Sequence, residues 1–308
     1  MSEAFGFRTF GGPEVQEFFD RPDPVPSPAE VLVRVTAAGV NPLDFKLRSG
    51  ALPGFYGERP FPQVMGAEAA GVVLAVGSEV EGLAVGDAVF GMAYTGAGAY
   101  ARTTLLLGSH TARKPEGLRD DWAATIPVAA TSALDAVDQL DLPEGTTVLI
   151  NGVGGGVGIA TAQVARDRGL NVIGTGGPTK RALAEAVGVT FVDYTEGPVV
   201  PRLRDLAPDG VDGLVDLVGG ASLRTVAPLV REPKYIVSVT DGTVTELGGE
   251  MVRRRAARAD LERAAALMVE GRLDPHVVRT YPLARSAEAL ALLEDGHAVG
   301  KIVIDMTE

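Results

Sequence analysis

The sequence predicts an α/β chain of two domains, a β-rich domain followed by a doubly wound sheet of parallel strands. Three observations carry that prediction. The first third breaks into short apolar runs punctuated by Gly, Pro and Asp, the texture of strands joined by turns. From about Asp120 onward, strand-like runs alternate with helix-like ones, the pattern of βαβ units. At 308 residues the chain is about twice the length of a typical single domain, enough for a substantial core in each.

Each element follows from its local pattern. In "EVLVRVTAAGV" (30–40) Val31, Val33 and Val35 alternate with Leu32, Arg34 and Thr36, which predicts a strand with one more buried face. "AAGVVLAVGSEV" (69–80) and "VGDAVFGMA" (85–93) are further strand segments separated by turn residues. "DDWAATIPVAATSALDAV" (120–137) is Ala-rich and lacks strand alternation. After it the strand candidates are 147–150, 171–175, 190–194, 213–219 and 234–239. Helix candidates at 157–168, 179–187, 200–206 and 221–230 lie between them, so the sheet is expected to be mostly parallel. A helix within 260–275 ends at Gly271 with Pro275 beyond, and "KIVID" (301–305) closes the chain as a strand compatible with the first domain.

Composition removes several chemistries. With no cysteine there is no disulfide, no thiolate nucleophile and no cysteine-ligated zinc. His110, His276 and His297 lie far apart, so no metal site is expected. The net charge of −12 opposes nucleic-acid binding, and the one basic run, "RRRAAR" (253–258), reads as a solvated face at a helix start. No apolar run approaches the ~20 residues of a membrane span, and "MSEAFGFRTF" lacks the marks of a signal peptide. The expectation is a soluble cytoplasmic protein with no membrane or nucleic-acid partner.

The loop "NGVGGGVGIA" (151–160) sits between the strand "TVLI" and a helix, at the head of the βαβ series. Gly152, Gly155 and Gly158 form a G-x-x-G-x-x-G frame, with Gly154 and Gly156 interleaved, rather than the strict G-x-G-x-x-G. A tight turn that serves no ligand is the alternative, but the placement favours a loop whose N–H groups meet the pyrophosphate of a dinucleotide. At the end of the second strand, where NAD-binding folds carry a ribose-binding carboxylate, stand Thr175 and Gly176, followed by Lys180 and Arg181. A hydroxyl and two cations suit a 2′-phosphate, so NADPH is preferred over NADH, unless Lys180 and Arg181 are merely a solvated helix start. Tyr194, ending the third strand, either covers the adenine and bonds that phosphate or caps the sheet.

Six segments in register, "AAGVNPLDFKLRSG" (37–50), "MGAEAAGVVLAVGSEV" (65–80), "VGDAVFG" (85–91), "IPVAATSALDAV" (126–137), the glycine loop and "GHAVGKIVID" (296–305), resemble one family. It is the zinc-independent quinone oxidoreductase branch of the medium-chain dehydrogenase/reductase superfamily. The resemblance implies a GroES-like catalytic domain over residues 1–120 completed by 272–308, a Rossmann-type NADPH domain over 121–271, an interdomain cleft for the nicotinamide, and a homodimer. In the zinc-dependent branch a Cys stands at the position of Asn41 and a His at that of Ala67; Glu68 alone cannot hold zinc. Carried over by position, Asn41, Thr131 and Ser132 face the nicotinamide, and Gly155, Gly156, Val157 and Gly158 the pyrophosphate. Thr175, Lys180 and Tyr194 hold the adenosine phosphate. Val218, Gly219, Val239 and Thr240 line the nicotinamide ribose, and Lys301 closes over the cleft. Val153, Gly154 and Lys46 depart from the family pattern, Lys46 standing where some relatives carry Tyr.

In such a site the protein orients an acceptor and stabilises charge developing on its oxygen. The catalytic candidates are Asn41 as hydrogen-bond donor, Lys46 as electrostatic aid, and Asp44 as an orienter of backbone or of Lys46, since an unperturbed Asp is ionised at neutral pH. Water or a cofactor hydroxyl is expected to supply the proton, and a purely structural Asp44–Lys46 pair is the alternative. Phe45, Tyr56, Met65 and Tyr94 are candidate walls for a flat small-molecule acceptor, a quinone or an α,β-unsaturated carbonyl, though each also suits a core. Two other readings stay open: an enoyl reductase on a biosynthetic or carrier-bound intermediate, and a non-catalytic NADPH-binding sensor or structural protein.

Overall fold

The structure is a computed structural model that describes residues 2–52, 59–93, 96–296 and 298–307. Tyr56 and Tyr94 lie outside the described residues. The chain divides into two compact units, Met1–Val128 with Ala256–Val269 and His276–Glu308, and Ala129–Arg255 with Glu270–Pro275.

In the first unit β1 (Ser2–Phe7) pairs antiparallel with β2 (Gln16–Arg21) on one side. The 11-residue β3 (Glu30–Val40) shows the alternation read from its valines: Val31, Val33 and Val35 are buried and Arg34 is exposed. Beyond Val35 every residue of the strand is buried, so the alternation ends where both faces are covered. α1 (Pro42–Arg48) starts abruptly because Asn41 stands at its N-cap, Pro42 occupies its first position and Asp44 returns a bond to the Asn41 N–H, the acidic half of a capping box. β4 (Gln63–Val64) pairs with the free side of β1. Then follow β5 (Glu68–Val76), β6 (Ala88–Met92), β7 (Thr103–Leu107), β8 (Thr111–Arg113) and the single turn α2 (Asp120–Ala123).

The second unit begins with α3 (Thr131–Leu140) and continues through β9 (Thr147–Asn151), α4 (Gly156–Asp167), β10 (Asn171–Gly176), α5 (Arg181–Ala186) and β11 (Thr190–Asp193). Its other half comprises α6 (Val199–Leu206), β12 (Gly213–Asp216), α7 (Gly220–Val226), β13 (Ile236–Ser238) and β14 (Glu250–Met251). The sheet runs β11-β10-β9-β12-β13-β14 and every neighbouring pair is parallel. This is the doubly wound Rossmann order, in which the direction of winding reverses beside the first strand and leaves a crevice at the strands' carboxyl ends. β12 stops at Asp216, short of the predicted Gly219, because the Asp216 carboxylate takes the N–H groups of Val218 and Gly219 and bends the chain. The predicted strand 234–239 loses its start to a 3-10 turn at Pro233–Tyr235.

The chain then returns to the first unit with α8 (Arg258–Val269), β15 (Val277–Pro282), α9 (Ser286–Glu294) and β16 (Lys301–Asp305). β16 lies antiparallel to β3 and parallel to β15, completing a sheet of order β15-β16-β3-β5-β6-β8, with β7 also on β3. The unit boundaries differ from the sequence-based 1–120 with 272–308 and 121–271 at 121–128, 256–269 and 272–275. The Val128 N–H binds the Glu68 carboxylate at 2.7 Å, and Arg258 donates to the carbonyls of Thr111, Glu81 and Gly108, so the first two of these segments are tied to the first unit. The basic run is therefore a solvated face only in part: Arg253 and Arg255 are exposed, yet most of its arginines are tied to the chain. Arg254 bonds the Thr131 hydroxyl at 2.8 Å, and Arg255 binds the buried Asp135 through its backbone and guanidinium. No described helix is long and apolar enough to cross a membrane.

Candidate active site

In the second unit a crevice of about 480 Å³ opens at the carboxyl ends of β9, β10 and β12. Gly152, Gly154, Gly155, Thr175, Gly176, Lys180, Tyr194 and Val218, all singled out from the sequence, line it. Gly155 is the N-cap of α4, and a Cβ placed on it would meet nothing within 4 Å, so space stands open where the helix presents its unpaired N–H groups. Gly156, Val157 and Gly158 form the first turn of that helix. Gly158 serves packing instead, because a Cβ there would lie 2.6 Å from the Gly152 carbonyl oxygen and the Val153 backbone, so only glycine lets helix and strand approach this closely.

Two assignments at the crevice need correction, those of Thr175 and Arg181. The Thr175 hydroxyl is turned inward, 2.9 Å from Asn151 Oδ1 and accepting the Gly152 N–H at 3.2 Å, so it braces the loop instead of facing a phosphate. Arg181 is held by Glu196 at 2.9 Å and lies over the Phe191 ring, and it does not line the crevice. Lys180 does line it, and burial pushes its ammonium below the ordinary lysine range. Val239 and Thr240 follow β13, where the Val239 N–H binds the Asp216 carbonyl and the Thr240 N–H the Ser238 hydroxyl; like Gly219, they are outside the crevice lining. Thr131 and Ser132 are fully buried at the start of α3.

Several lining residues escaped the sequence reading. Ser222, Thr225 and Val226 stand on one face of α7 at spacings of three and four, a periodicity that marks them once the helix is known. Asn151 ends β9 and gathers the loop, donating to Asp216 at 2.8 Å and to Ser222 at 3.0 Å. Its polar side chain at the end of an apolar strand was the available signal.

In the first unit the polar candidates converge on Lys301. Its ammonium, 4% exposed, donates to Asn41 Oδ1 at 2.7 Å, Glu68 Oε1 at 2.9 Å and the Val40 carbonyl at 3.3 Å. Asn41 Nδ2 donates to Glu68 at 2.8 Å and to the Gly39 carbonyl at 3.5 Å, so its donors are spent within the cluster instead of pointing to an acceptor. Lys301 is likewise a buried member of this cluster. Asp44 accepts the Asn41 N–H at 2.8 Å and the Tyr100 hydroxyl at 2.9 Å. The orienter role read from the sequence thus concerns backbone, and Lys46 takes no part: half-buried on α1, it makes no ion pair among the described residues. Burial pushes the Asp44 carboxyl up to about 7, against the opposing bonds from Asn41 and Tyr100, so the premise of an unperturbed, ionised Asp fails. Burial and the neighbouring Asp44 push the Tyr100 hydroxyl up as well. Met65 is core, 3% exposed, and Phe45 is half-buried.

Comparison with known proteins sets these residues in a family. Residues 27–117 match the alcohol dehydrogenase GroES-like domain and residues 187–304 a model described as zinc-binding dehydrogenase. A 2-methylene-furan-3-one reductase of Solanum lycopersicum is 31% identical over 89% of this chain and 71% of its own length. A quinone oxidoreductase of Sus scrofa is 30% identical over 96% of this chain and 95% of its own. Among solved structures, the quinone oxidoreductase of Coxiella burnetii superposes with a TM-score of 0.91 at 30% identity, covering 99% of each chain. A mycobacterial protein complexed with NADPH superposes with a TM-score of 0.85 at 27% identity, covering 99% of this chain and 100% of that one. The chain belongs to the zinc-independent quinone oxidoreductase branch of the medium-chain dehydrogenase/reductase superfamily. Membership makes it an oxidoreductase with a GroES-like domain and a Rossmann domain for a nicotinamide cofactor. The zinc in the name of one matched model does not fit this chain. Glu68 accepts the Lys301 ammonium at Oε1 and the Val128 N–H at Oε2, Asn41 Oδ1 accepts the same ammonium, Ala67 offers no donor, and there is no cysteine.

Proposed function

We propose that this oxidoreductase uses NADPH to reduce a quinone or an α,β-unsaturated carbonyl. The crevice carries the reading: an open helix N-terminus at Gly155, Lys180 on the wall, and Thr175 and Gly176 where a ribose-binding carboxylate would exclude a 2′-phosphate. These residues fit the cofactor. The N–H groups of the loop 154–158 would hold the pyrophosphate, Lys180 the 2′-phosphate, and Tyr194, 59% exposed, would cover the adenine. When bound, NADPH supplies hydride to the acceptor carbon.

Among the described residues around α1, Lys46 keeps a charge that no ion pair takes up. It supplies positive potential toward oxygen that gains charge, in place of Asn41. The Asn41–Glu68–Lys301 cluster holds the end of β3 and the start of α1 rigid, so that Lys46 projects from a fixed helix.

The test is oxidation of NADPH and NADH by a panel of quinones, alkenals and enoyl thioesters, with Lys180→Ala alongside. Turnover with NADPH and a quinone or enone, lost in large part in the variant, supports the reading. Equal use of NADH, or unchanged selectivity in Lys180→Ala, overturns the phosphate assignment.

A further inference from the structure

Asp44 is more than a helix cap. It is 2% exposed and its oxygens are used unequally: Oδ2 takes both the Asn41 N–H and the Tyr100 hydroxyl, while Oδ1 is buried with no hydrogen-bond partner among the described residues. A capping carboxylate needs only the first of those bonds. A buried polar atom left without a partner costs on the order of 1–3 kcal/mol, a penalty that a proton or a water relieves. Asp44 also lines a cavity of about 30 Å³, together with Arg59, Gln63 and Met65. That volume has room for a water, and Asp44, Arg59 and Gln63 put polar side chains on its wall.

We propose that this cavity holds one water against Asp44, and that Asp44, Tyr100 and the water form the proton store from which the acceptor oxygen is protonated. The inference rests on the reduction proposed above. As the acceptor carbon takes hydride, an electron pair moves onto its oxygen. The Asp44 O–H bond breaks, the water accepts that proton and passes one of its own to the oxygen, and Asp44 is left as carboxylate. Solvent then returns one proton, so each turnover consumes one hydride and one proton. Asp44 acts through the water and is a positioning residue.

The groups facing it set its proton affinity. The Asn41 N–H at the head of α1 and the Tyr100 hydroxyl favour the anion, as does Lys301 from β16; Glu68 from β5 favours the neutral acid, and Arg59 stands on the cavity wall. Burial outweighs them and leaves the acid substantially populated near neutral pH.

The test pairs infrared difference titration of the protein alone with kcat–pH profiles of wild type, Asp44→Asn and Tyr100→Phe. In wild type a buried carboxyl band titrates near pH 7, and kcat falls above that pH. Asp44→Asn loses the band, flattens that limb and lowers kcat at least about tenfold with the acceptor KM unchanged. Tyr100→Phe, which keeps the carboxyl but removes a bond that favours the anion, moves band and limb to higher pH together. A carboxyl that titrates in the ordinary Asp range, or an Asp44→Asn enzyme with the wild-type limb and full kcat, overturns the proposal. If no quinone or enone is reduced while the band still titrates near pH 7 and responds to both variants, the proton-holding site stands and the substrate reading fails.

Discussion

The Lys301 ammonium and the Glu68 carboxylate lie 2.9 Å apart, 4% and 0% exposed, and join the last strand of the chain to one in its first quarter. Two buried charges are tolerated because the rest of their bonding capacity is used: Glu68 also takes Asn41 Nδ2 and the Val128 N–H, and Lys301 also reaches Asn41 Oδ1 and the Val40 carbonyl. The pair therefore acts as a registration device between β16, β3 and β5.

Breaking it from one side leaves a buried charge unpaired. Lys301→Met should cost about 3–5 kcal/mol in denaturant unfolding. Lys301→Met with Glu68→Gln should recover a large part of that loss, because the remaining groups are neutral and still hydrogen-bonded. A double variant as unstable as the sum of the singles would show that the two residues act independently.

The periodicity that exposed the fold in the sequence is a local property, and local signals survive without coordinates. Alternating valines in β3 and a strand–glycine loop–helix unit at 147–167 follow from spacing alone. The site is different in kind. Asn41 and Lys301 meet across 260 positions, and no local pattern shows that the Asn41 amide is spent there. Thr175 and Arg181 were placed at the phosphate by position. Only the structure shows one hydroxyl bound to Asn151 and one guanidinium bound to Glu196. From its local sequence Asp44 has the acidity of an exposed carboxyl, since burial is what weakens it and burial is a tertiary fact.

That burial also makes stability depend on pH. The Asp44 carboxyl is raised from 3.8 to about 7 on folding, so its stabilising contribution is full below the unfolded value and is lost as pH rises through about 7. Relative to Asp44→Asn, wild type should lose on the order of 4 kcal/mol between pH 4 and pH 8. Unfolding midpoints of both proteins across that range measure it, and parallel curves would refute the raised pKa.

At the crevice, burial lowers the Lys180 ammonium, so its charge is lost at a lower pH than an exposed lysine's. NADPH affinity should weaken at alkaline pH while NADH affinity stays level, with onset below the ordinary lysine range. Lys180→Arg should remove that alkaline loss, because a guanidinium keeps its proton throughout. Calorimetric titrations at several pH values decide it, and an identical pH profile for the two cofactors would place the phosphate away from Lys180.

The glycine loop carries a second constraint on that lysine. A Cβ at Gly154 would stand 2.3 Å from Lys180 Cγ and 2.4 Å from its Cβ, at the root of the side chain where rotation of the tip gives no relief. Gly154→Ala should therefore displace Lys180 from the wall. NADPH affinity should fall about tenfold, close to 1.4 kcal/mol, with little change for NADH. If Gly154 acts by seating Lys180, the variant carrying both Gly154→Ala and Lys180→Ala binds NADPH no worse than Lys180→Ala alone, since the group the methyl displaces is already gone. Losses that add in full would show that the methyl obstructs the cofactor directly.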